Sequence, residues 1–346
     1  MNQEEMFDDL ANRIQQMQIK AREIAQQRGH SIPLKRAFHA KGMGVRAKFK
    51  INSNIPKELQ VGLFQPNAEY EALIRFSNTR SEVLGDLVKD QRGVALRVKA
   101  IEGAALAPNN YSNIQDFLMI NTPTSFARSP LQTVEVTEIF LDSTAKAPIK
   151  LIQKYGFKEA RRILGQVLEP PISFKPLQMN QYWSRSSYKF GDTSVRYLIR
   201  PSAGSQTLSS TQQLADVVRS VFQGVPAKDN YLQAKLLEAL KETDLHFEFC
   251  IQLFVDEMKT PTEDAYIEWK ESDTLPICIA ALTIPKQNFD QQLQTDTEQI
   301  AFNPWHTKDF TPLGLMNLAR MKLYDASARN RGSSLQPYKA KLPKSQ

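Results

Sequence analysis

Arg320-Met321-Lys322-Leu323-Tyr324-Asp325-Ala326-Ser327-Ala328-Arg329-Asn330-Arg331 is the stretch on which the reading turns. If Arg320 to Tyr324 are helical, the two side chains stand one turn apart on the same face. A guanidinium held beside a phenol favours the phenolate, the form of tyrosine that ligates ferric iron. Taken alone, this spacing is more often a surface arginine beside an interfacial tyrosine. Pro304 and Pro312 break the chain ahead of this stretch, so a final helix is expected near Leu315–Ala328. Beyond it, residues 333–346, rich in Lys, Ser, Gln and Pro, are expected to form a flexible tail.

Two upstream segments carry further chemistry. Lys35-Arg36-Ala37-Phe38-His39-Ala40-Lys41-Gly42-Met43-Gly44 puts an imidazole just before a glycine-punctuated turn, where a side chain can project from rigid backbone into a pocket. An isolated histidine there is more often structural. Met119-Ile120-Asn121-Thr122-Pro123-Thr124-Ser125-Phe126 ends an apolar strand with a carboxamide, followed by a turn that Pro123 sets. Asn121 would ordinarily be a turn former.

Between these segments the patterning separates into blocks. Met6, Leu10, Ile14, Met17 and Ile24 recur at helical spacing and predict an amphipathic helix over Glu4–Gln27, within an N-terminal segment of residues 1–30. Val45–Ile51, Glu71–Phe76, Val94–Val98 and Asp116–Ile120 are short and β-prone, bounded by Gly, Asn and Pro. Helical periods follow over Leu131–Phe140, Pro148–Tyr155, Lys158–Leu164, Thr211–Phe222 and Tyr231–Leu240. Strands return at Ser194–Ile199, His246–Val255 and Ile277–Ile284, with Ala265–Glu268 as a further candidate. Strands, then helices, then strands predict an α+β fold rather than a βαβ array, and no Gly-x-Gly-x-x-Gly follows a strand. A Rossmann domain is excluded on that ground.

Composition narrows the function classes. The 346 residues are 41% hydrophobic and 23% charged, the balance of a folded globular protein, which sets aside disorder, collagen and coiled coil. The N-terminus has no basic start followed by an apolar run, and no stretch is long enough to span a bilayer, so a cytoplasmic protein is expected. That leaves little weight for the Asn110-Tyr111-Ser112 glycosylation pattern. Cys250 and Cys278 lack metal spacing and are expected to be buried, reduced thiols. His30, His39, His246 and His306 are too scattered for a zinc site. The net charge is +7, but Lys and Arg alternate with acidic residues, which argues against nucleic acid and for small anionic ligands or an acidic membrane surface.

These segments, in this order, resemble the catalase superfamily from about Arg36 to Arg331. Supporting phrases are Ala72-Leu73-Ile74-Arg75-Phe76-Ser77, Asp90-Gln91-Arg92-Gly93-Val94-Ala95 and Ile300-Ala301-Phe302-Asn303-Pro304-Trp305-His306. The resemblance implies an antiparallel β-barrel with an N-terminal helical arm and additional helices, over residues 31–332, with haem b buried against the barrel. It implies Tyr324 as the iron ligand and Arg320 as its activating arginine. His39 becomes the distal acid–base group, Asn121 the amide that orients a peroxide, and Ser77 the hydroxyl that orients the imidazole. Arg36, Arg75 and Arg331 become the cations for the haem propionates, a role suited to bidentate guanidinium contacts. Phe126 becomes an aromatic on the distal haem face.

The sequence also departs from large catalases, which are longer and carry a wrapping region and a C-terminal helical domain. Before the distal histidine they have Val, and the related allene oxide synthase branch has Thr; here Phe38 occupies that position. After Asn121 the adjacent aromatics of catalases give way to Thr124-Ser125-Phe126, and Thr133 or a neighbour stands where a further aromatic is expected. Smaller side chains there predict a wider pocket unless another ring, such as Phe38, refills the space. The short chain and Pro312-Leu313-Gly314-Leu315-Met316-Asn317 look more like the small catalase-related haem proteins that rearrange or cleave fatty-acid hydroperoxides. The expected substrate is therefore a small-molecule lipid hydroperoxide. A hydrogen-peroxide catalase or peroxidase is the first alternative and a non-enzymatic haem-binding protein the second. A peripheral membrane contact and a homodimer stay open as further partners.

Overall fold

Alternation along one strand shows how the molecule is divided. In β2 (Glu69–Asn78), Ala72, Ile74 and Phe76 point into one core, while Leu73, Arg75 and Ser77 point to the opposite face. The neighbouring strands repeat the pattern, so the sheet has an apolar inside and an outer face that carries chemistry.

The structure is a computed structural model and describes residues 2–86, 88, 90–99, 114–168, 175–203, 227–307 and 310–333. β1 (Gly42–Ile51), β2, β3 (Arg92–Lys99), β4 (Ile114–Ile120) and β5 (Tyr182–Trp183) pair in order, each antiparallel to the next. β7 (Thr193–Pro201), β8 (Leu245–Leu253) and β9 (Ile277–Ile284) continue the ring, and β9 closes on β1. This makes an eight-stranded antiparallel barrel, with β6 (Tyr188–Phe190) and β10 (Phe310–Pro312) laid along the side of β7. Closure leaves these strands no free edge along the ring.

The barrel is solid. Phe49, Phe117 and Phe249 meet at its centre, with ring centroids 5.2 Å apart for Phe49 and Phe249 and 4.8 Å for Phe117 and Phe249. Phe64 enters from the β1–β2 connection, and Tyr197, Phe190 and Phe310 complete the packing. Edge-to-face pairs of this kind add about 0.5–1.5 kcal/mol each beyond the area they bury. A barrel filled with rings holds no ligand, so any binding site must lie on its outside.

Helices build that outer site. α1 (Gln3–Gln27) begins with a capping box in which Asn2 Oδ1 accepts from the Glu5 amide and Glu5 accepts from the Asn2 amide. Its stripe of Phe7, Leu10, Ile14, Met17 and Ala21 packs with Val134 of α2 (Pro130–Asp142) and with Ala319 and Leu323 of α6 (Gly314–Asn330). Ser129 caps α2 by accepting from the Gln132 amide, with Pro130 in the first turn. The N-terminal segment thus shares a core with the site helices.

Several expectations meet the structure with changes. The paired helices near Pro148–Tyr155 and Lys158–Leu164 are the two arms of α3 (Ala147–Leu168), kinked at Gly156, whose φ is 78°. α4 (Ala227–Glu242) covers the expected Tyr231–Leu240, while Thr211–Phe222, Asn110–Ser112 and residues 334–346 lie outside the described residues. β5, β6, β10 and α5 (Gln291–Gln299) were not expected, the strands because two or three residues are too few to show a period. Ala265–Glu268 is a turn and not a strand. Asp264 accepts from the Tyr266 amide through its side chain, and the Arg196 guanidinium takes the Pro261, Asp264 and Ile267 carbonyls. Cys250 and Cys278 are not free thiols: they are bonded to each other across β8 and β9, at a register irregularity that brings their Cα atoms to 3.8 Å. Local sequence spacing cannot show this, because the pairing follows from strand register.

Candidate active site

A cavity of about 280 Å³ lies between the outer faces of β2–β4 and the helices α1, α2 and α6. From α6 come Arg320, Tyr324 and Ser327, on one helical face, with Arg331 following as the residue that caps the helix, and all four line the cavity. Arg320 Nη2 donates to Tyr324 Oη at 3.3 Å, and its guanidinium also reaches Ser186 Oγ at 3.2 Å and Asn317 Oδ1 at 3.0 Å. Burial opposes the Arg320 charge, but the phenol oxygens of Tyr324 and Tyr188 outweigh it and hold its pKa above the ordinary guanidinium value.

His39 has a left-handed backbone, with φ 62°, and lies against Gly93, where an added Cβ would stand 2.9 Å from the imidazole Nδ1. The absence of a side chain at residue 93 therefore creates the slot for the ring. Nδ1 is 2.7 Å from the Asn78 carbonyl oxygen and 3.1 Å from Ser77 Oγ. A carbonyl only accepts, so Nδ1 carries the proton and Nε2 is the bare acceptor. Among the described residues Nε2 has no hydrogen-bond partner. Burial, reinforced by Arg75, Arg320 and Arg36, lowers the imidazole pKa to about 3, so the ring is neutral over the physiological range.

Three guanidiniums gather at one end. Arg36 and Arg75 both bind Glu298, Arg36 at 2.9 Å and Arg75 at 2.7 Å, and Lys35 stands 3.7 Å from the same carboxylate. Gly42 makes room for Arg75, since a Cβ there would collide with the guanidinium. Arg331 donates to the Glu298 and Ile300 carbonyl oxygens at 3.0 Å and 3.2 Å and to Ser333 Oγ, and its Nε is buried without a partner. Burial and then mutual repulsion lower the pKa of Arg36, and the same causes bring Arg331 to about 10. Burial would raise the Glu298 carboxyl, but Arg75, Arg36 and Lys35 outweigh it and hold it at about 2. One carboxylate thus faces four cations.

The residues present fit haem. The surplus of guanidiniums and the orphaned Arg331 Nε call for a dianion such as a pair of propionates, and the Tyr324 phenol with its arginine offers an anionic oxygen ligand suited to ferric iron. In this arrangement Arg36, Arg75 and Arg331 would hold the carboxylates and Tyr324 the metal.

Comparison with known proteins agrees with this geometry. Residues 12–150 match the family model described as Catalase. A fungal catalase structure superposes with a TM-score of 0.67 at 18% identity, covering 90% of this chain and 61% of that one. A bacterial catalase gives 0.63 at 18% identity, covering 90% and 59%, and catalase A from Saccharomyces cerevisiae gives 0.61 at 18%, covering 90% and 64%. The chain has the catalase fold. It spans about three fifths of the length of those catalases, and curated protein sequences offer no match to it.

Against the catalase-derived expectations, one residue stands elsewhere. Asn121 is turned away from the cavity: its Oδ1 accepts from the Arg92 amide at 2.8 Å, and its own amide donates to the Arg92 carbonyl at 2.9 Å. The side chain that lines the cavity here is Ile120. Strand alternation explains it, since Leu118 and Ile120 share the outer face of β4 while Phe117 and Met119 fill the barrel. Ser77, Arg36, Arg75, Phe126, Arg320, Tyr324 and Arg331 all line the cavity with His39. So do Phe38, Ser125 and Thr133, whereas Thr124 turns aside and accepts from Gln166 at 3.1 Å.

Two features were missed from the sequence. A buried network of Arg97, Asp116 and His306 fastens the Ile300–His306 segment to the barrel: Arg97 binds both Asp116 oxygens at 2.7 Å, and His306 Nδ1 lies 2.8 Å from Asp116 Oδ2. Arg185 lines the cavity from the β5–β6 turn, and nothing in Ser184-Arg185-Ser186 distinguishes it from a surface loop.

Proposed function

We propose that the chain is a haem-dependent enzyme acting on fatty-acid hydroperoxides, in which haem b, held by Tyr324, Arg36, Arg75 and Arg331, supplies O–O bond cleavage when bound. His39 Nε2 accepts the hydroperoxide proton from the near oxygen and returns it to the far one, while Asn78 and Ser77 keep the imidazole in the tautomer that makes this available.

The observation that carries the substrate class is the wall around His39. Ile120 lines it where the resemblance implies the Asn121 amide, and Leu118, Val94, Phe126, Val136 and Phe140 continue an apolar surface past the small residues Ser125 and Thr133. Each methylene buried there contributes about 0.8 kcal/mol, a gain hydrogen peroxide cannot share. Hydrogen-peroxide dismutation is the second reading, supported by the catalases whose fold this chain shares. Oxygen evolution from hydrogen peroxide, measured beside ultraviolet loss of a polyunsaturated fatty-acid hydroperoxide, tests the two. The higher specificity constant is expected for the lipid, and Ser125→Phe should harm the lipid reaction more; catalase-like oxygen evolution with lipid untouched overturns the reading.

The proposal extends to a peripheral contact with an anionic membrane. Ile149 and Ile152 on one arm of α3 and Phe157 just past its Gly156 kink are exposed beside Lys146, Lys158 and Arg161, apolar side chains bordered by cations as such a surface would favour. Sedimentation with anionic vesicles, lost in Phe157→Ser, checks it.

A further inference from the structure

Strand β9 changes its facing at one residue. Ala280, Leu282 and Ile284 point into the barrel core, so two-residue alternation would carry Cys278 inward with them. The register breaks first: Phe249 pairs with Ala280 and Cys250 with Cys278, which leaves Ile279 as the extra residue of a bulge. Ile279 takes the inward position, and Cys278 turns to the outer face, where Cys250 stands because Phe249 and Ile251 fill the barrel. Asn52 holds the irregularity, its amide donating to the Ile279 carbonyl at 3.0 Å and its Nδ2 to the Cys278 carbonyl at 2.8 Å. Bulges recur next to active sites because they re-aim a side chain in this way.

The re-aimed sulfur meets charge. Arg200 Nη2 lies 3.3 Å from Cys278 Sγ, Arg200 Nε donates to Glu248 Oε2 at 2.8 Å, and that same oxygen is 3.7 Å from the sulfur. A guanidinium beside a sulfur favours the thiolate, the nucleophile of thiol chemistry, and a carboxylate beside it can take the thiol proton. Cys250 is fully buried, whereas Cys278 is partly exposed and Arg200 and Glu248 are more than a third exposed. One sulfur is therefore reachable and flanked by charge, and the other is held in reserve beneath it. Backbone pairing from Leu245–Ile284 to Phe249–Ala280 holds the two strands together, so the bond can open without undoing the sheet. None of the four residues lines the His39 cavity.

We propose that Cys278 and Cys250, with Arg200 and Glu248, form a second centre that reduces hydroperoxides without haem, and that the structure shows its oxidised state. It takes the substrate class of the proposed function but does not rest on that reading. From the dithiol, Glu248 takes the Cys278 proton and the thiolate attacks the terminal oxygen of the hydroperoxide. The O–O bond breaks, the sulfur keeps the hydroxyl as a sulfenic acid, and the departing alkoxide recovers the proton from Glu248 and leaves as the alcohol. Cys250 then attacks Cys278: the S–S bond forms, the S–O bond breaks, and the hydroxyl leaves as water with the Cys250 proton. The sulfurs lose two electrons and the hydroperoxide gains them; an external dithiol returns two electrons and two protons to the pair.

The test follows the thiols by mass, apart from haem turnover. The haem-loaded full chain, its iron blocked with azide, is reduced with dithiothreitol, freed of it, exposed to cumene hydroperoxide and alkylated over time. Reduction should free both thiols with the haem spectrum unchanged, and the hydroperoxide should remove both with release of an equal amount of cumyl alcohol. Arg200→Gln should slow that step by about 10-fold or more, the worth of one hydrogen bond to a charged group. In Cys250→Ser, dimedone should label Cys278 after hydroperoxide. A bond that resists dithiothreitol in the native chain, thiols that survive the hydroperoxide, or an unchanged rate in Arg200→Gln overturns the proposal, and the wild-type results stand even if the variants fold poorly. Such a failure leaves the haem reading untouched, since the blocked iron plays no part in the thiol readout.

Discussion

His39 Nδ1 lies 2.7 Å from the carbonyl oxygen of Asn78, and this contact decides which nitrogen of the ring can take a proton. Only the Nδ1–H tautomer satisfies it, so Nε2 is left as a base aimed at whatever shares the cavity. His39→Ala should therefore retain haem, since His39 holds no metal in this account, and should lose peroxide turnover by ~10²–10⁴-fold. Wild-type rates in the variant would refute the assignment.

Asn121 and Ile120 make a paired prediction. Asn121→Ala removes the carboxamide that binds the Arg92 amide, so it should lower the thermal midpoint with little effect on turnover per haem. Ile120→Asn puts an amide on the cavity face and should shift the ratio of specificity constants toward hydrogen peroxide. Kinetics on both substrates check this; a large loss of turnover in Asn121→Ala at unchanged stability would restore Asn121 to the chemistry.

The pH dependence of stability follows from His39. The unfolded imidazole titrates near 6.5 and the folded one near 3, so between these values the unfolded chain binds a proton that the native state refuses. Stability should fall as pH drops from about 6.5 toward 3, and Glu298, held at about 2 against 4.5 when unfolded, adds a second loss below about 4.5. His39→Gln should flatten the thermal midpoint between pH 6.5 and 4.5. An unchanged slope would show that another group governs it.

Most of the barrel strands could be read from the chain because they are short β-prone runs bounded by Gly, Asn and Pro, and the Arg320, Tyr324 and Arg331 spacing could be read because it is a helical repeat. The orientation of Asn121 was also within reach: two-residue alternation from Phe117 and Met119 puts it off the cavity face, whereas the motif resemblance alone puts it on that face. Arg185 and the Cys250–Cys278 bond were out of reach, since each depends on partners 94 and 28 residues away in sequence that only the closed sheet brings together. The short strands β5, β6 and β10 are set by pairing and not by local propensity.

The central claim is that Tyr324, paired with Arg320, is the iron ligand of a bound haem. The direct measurement is the absorption and electron paramagnetic resonance spectrum of the purified, haem-loaded protein beside Tyr324→Phe. Wild type should show high-spin ferric haem with tyrosinate ligation, and the variant should lose that signature or most of its haem; an identical spectrum in Tyr324→Phe would contradict the account.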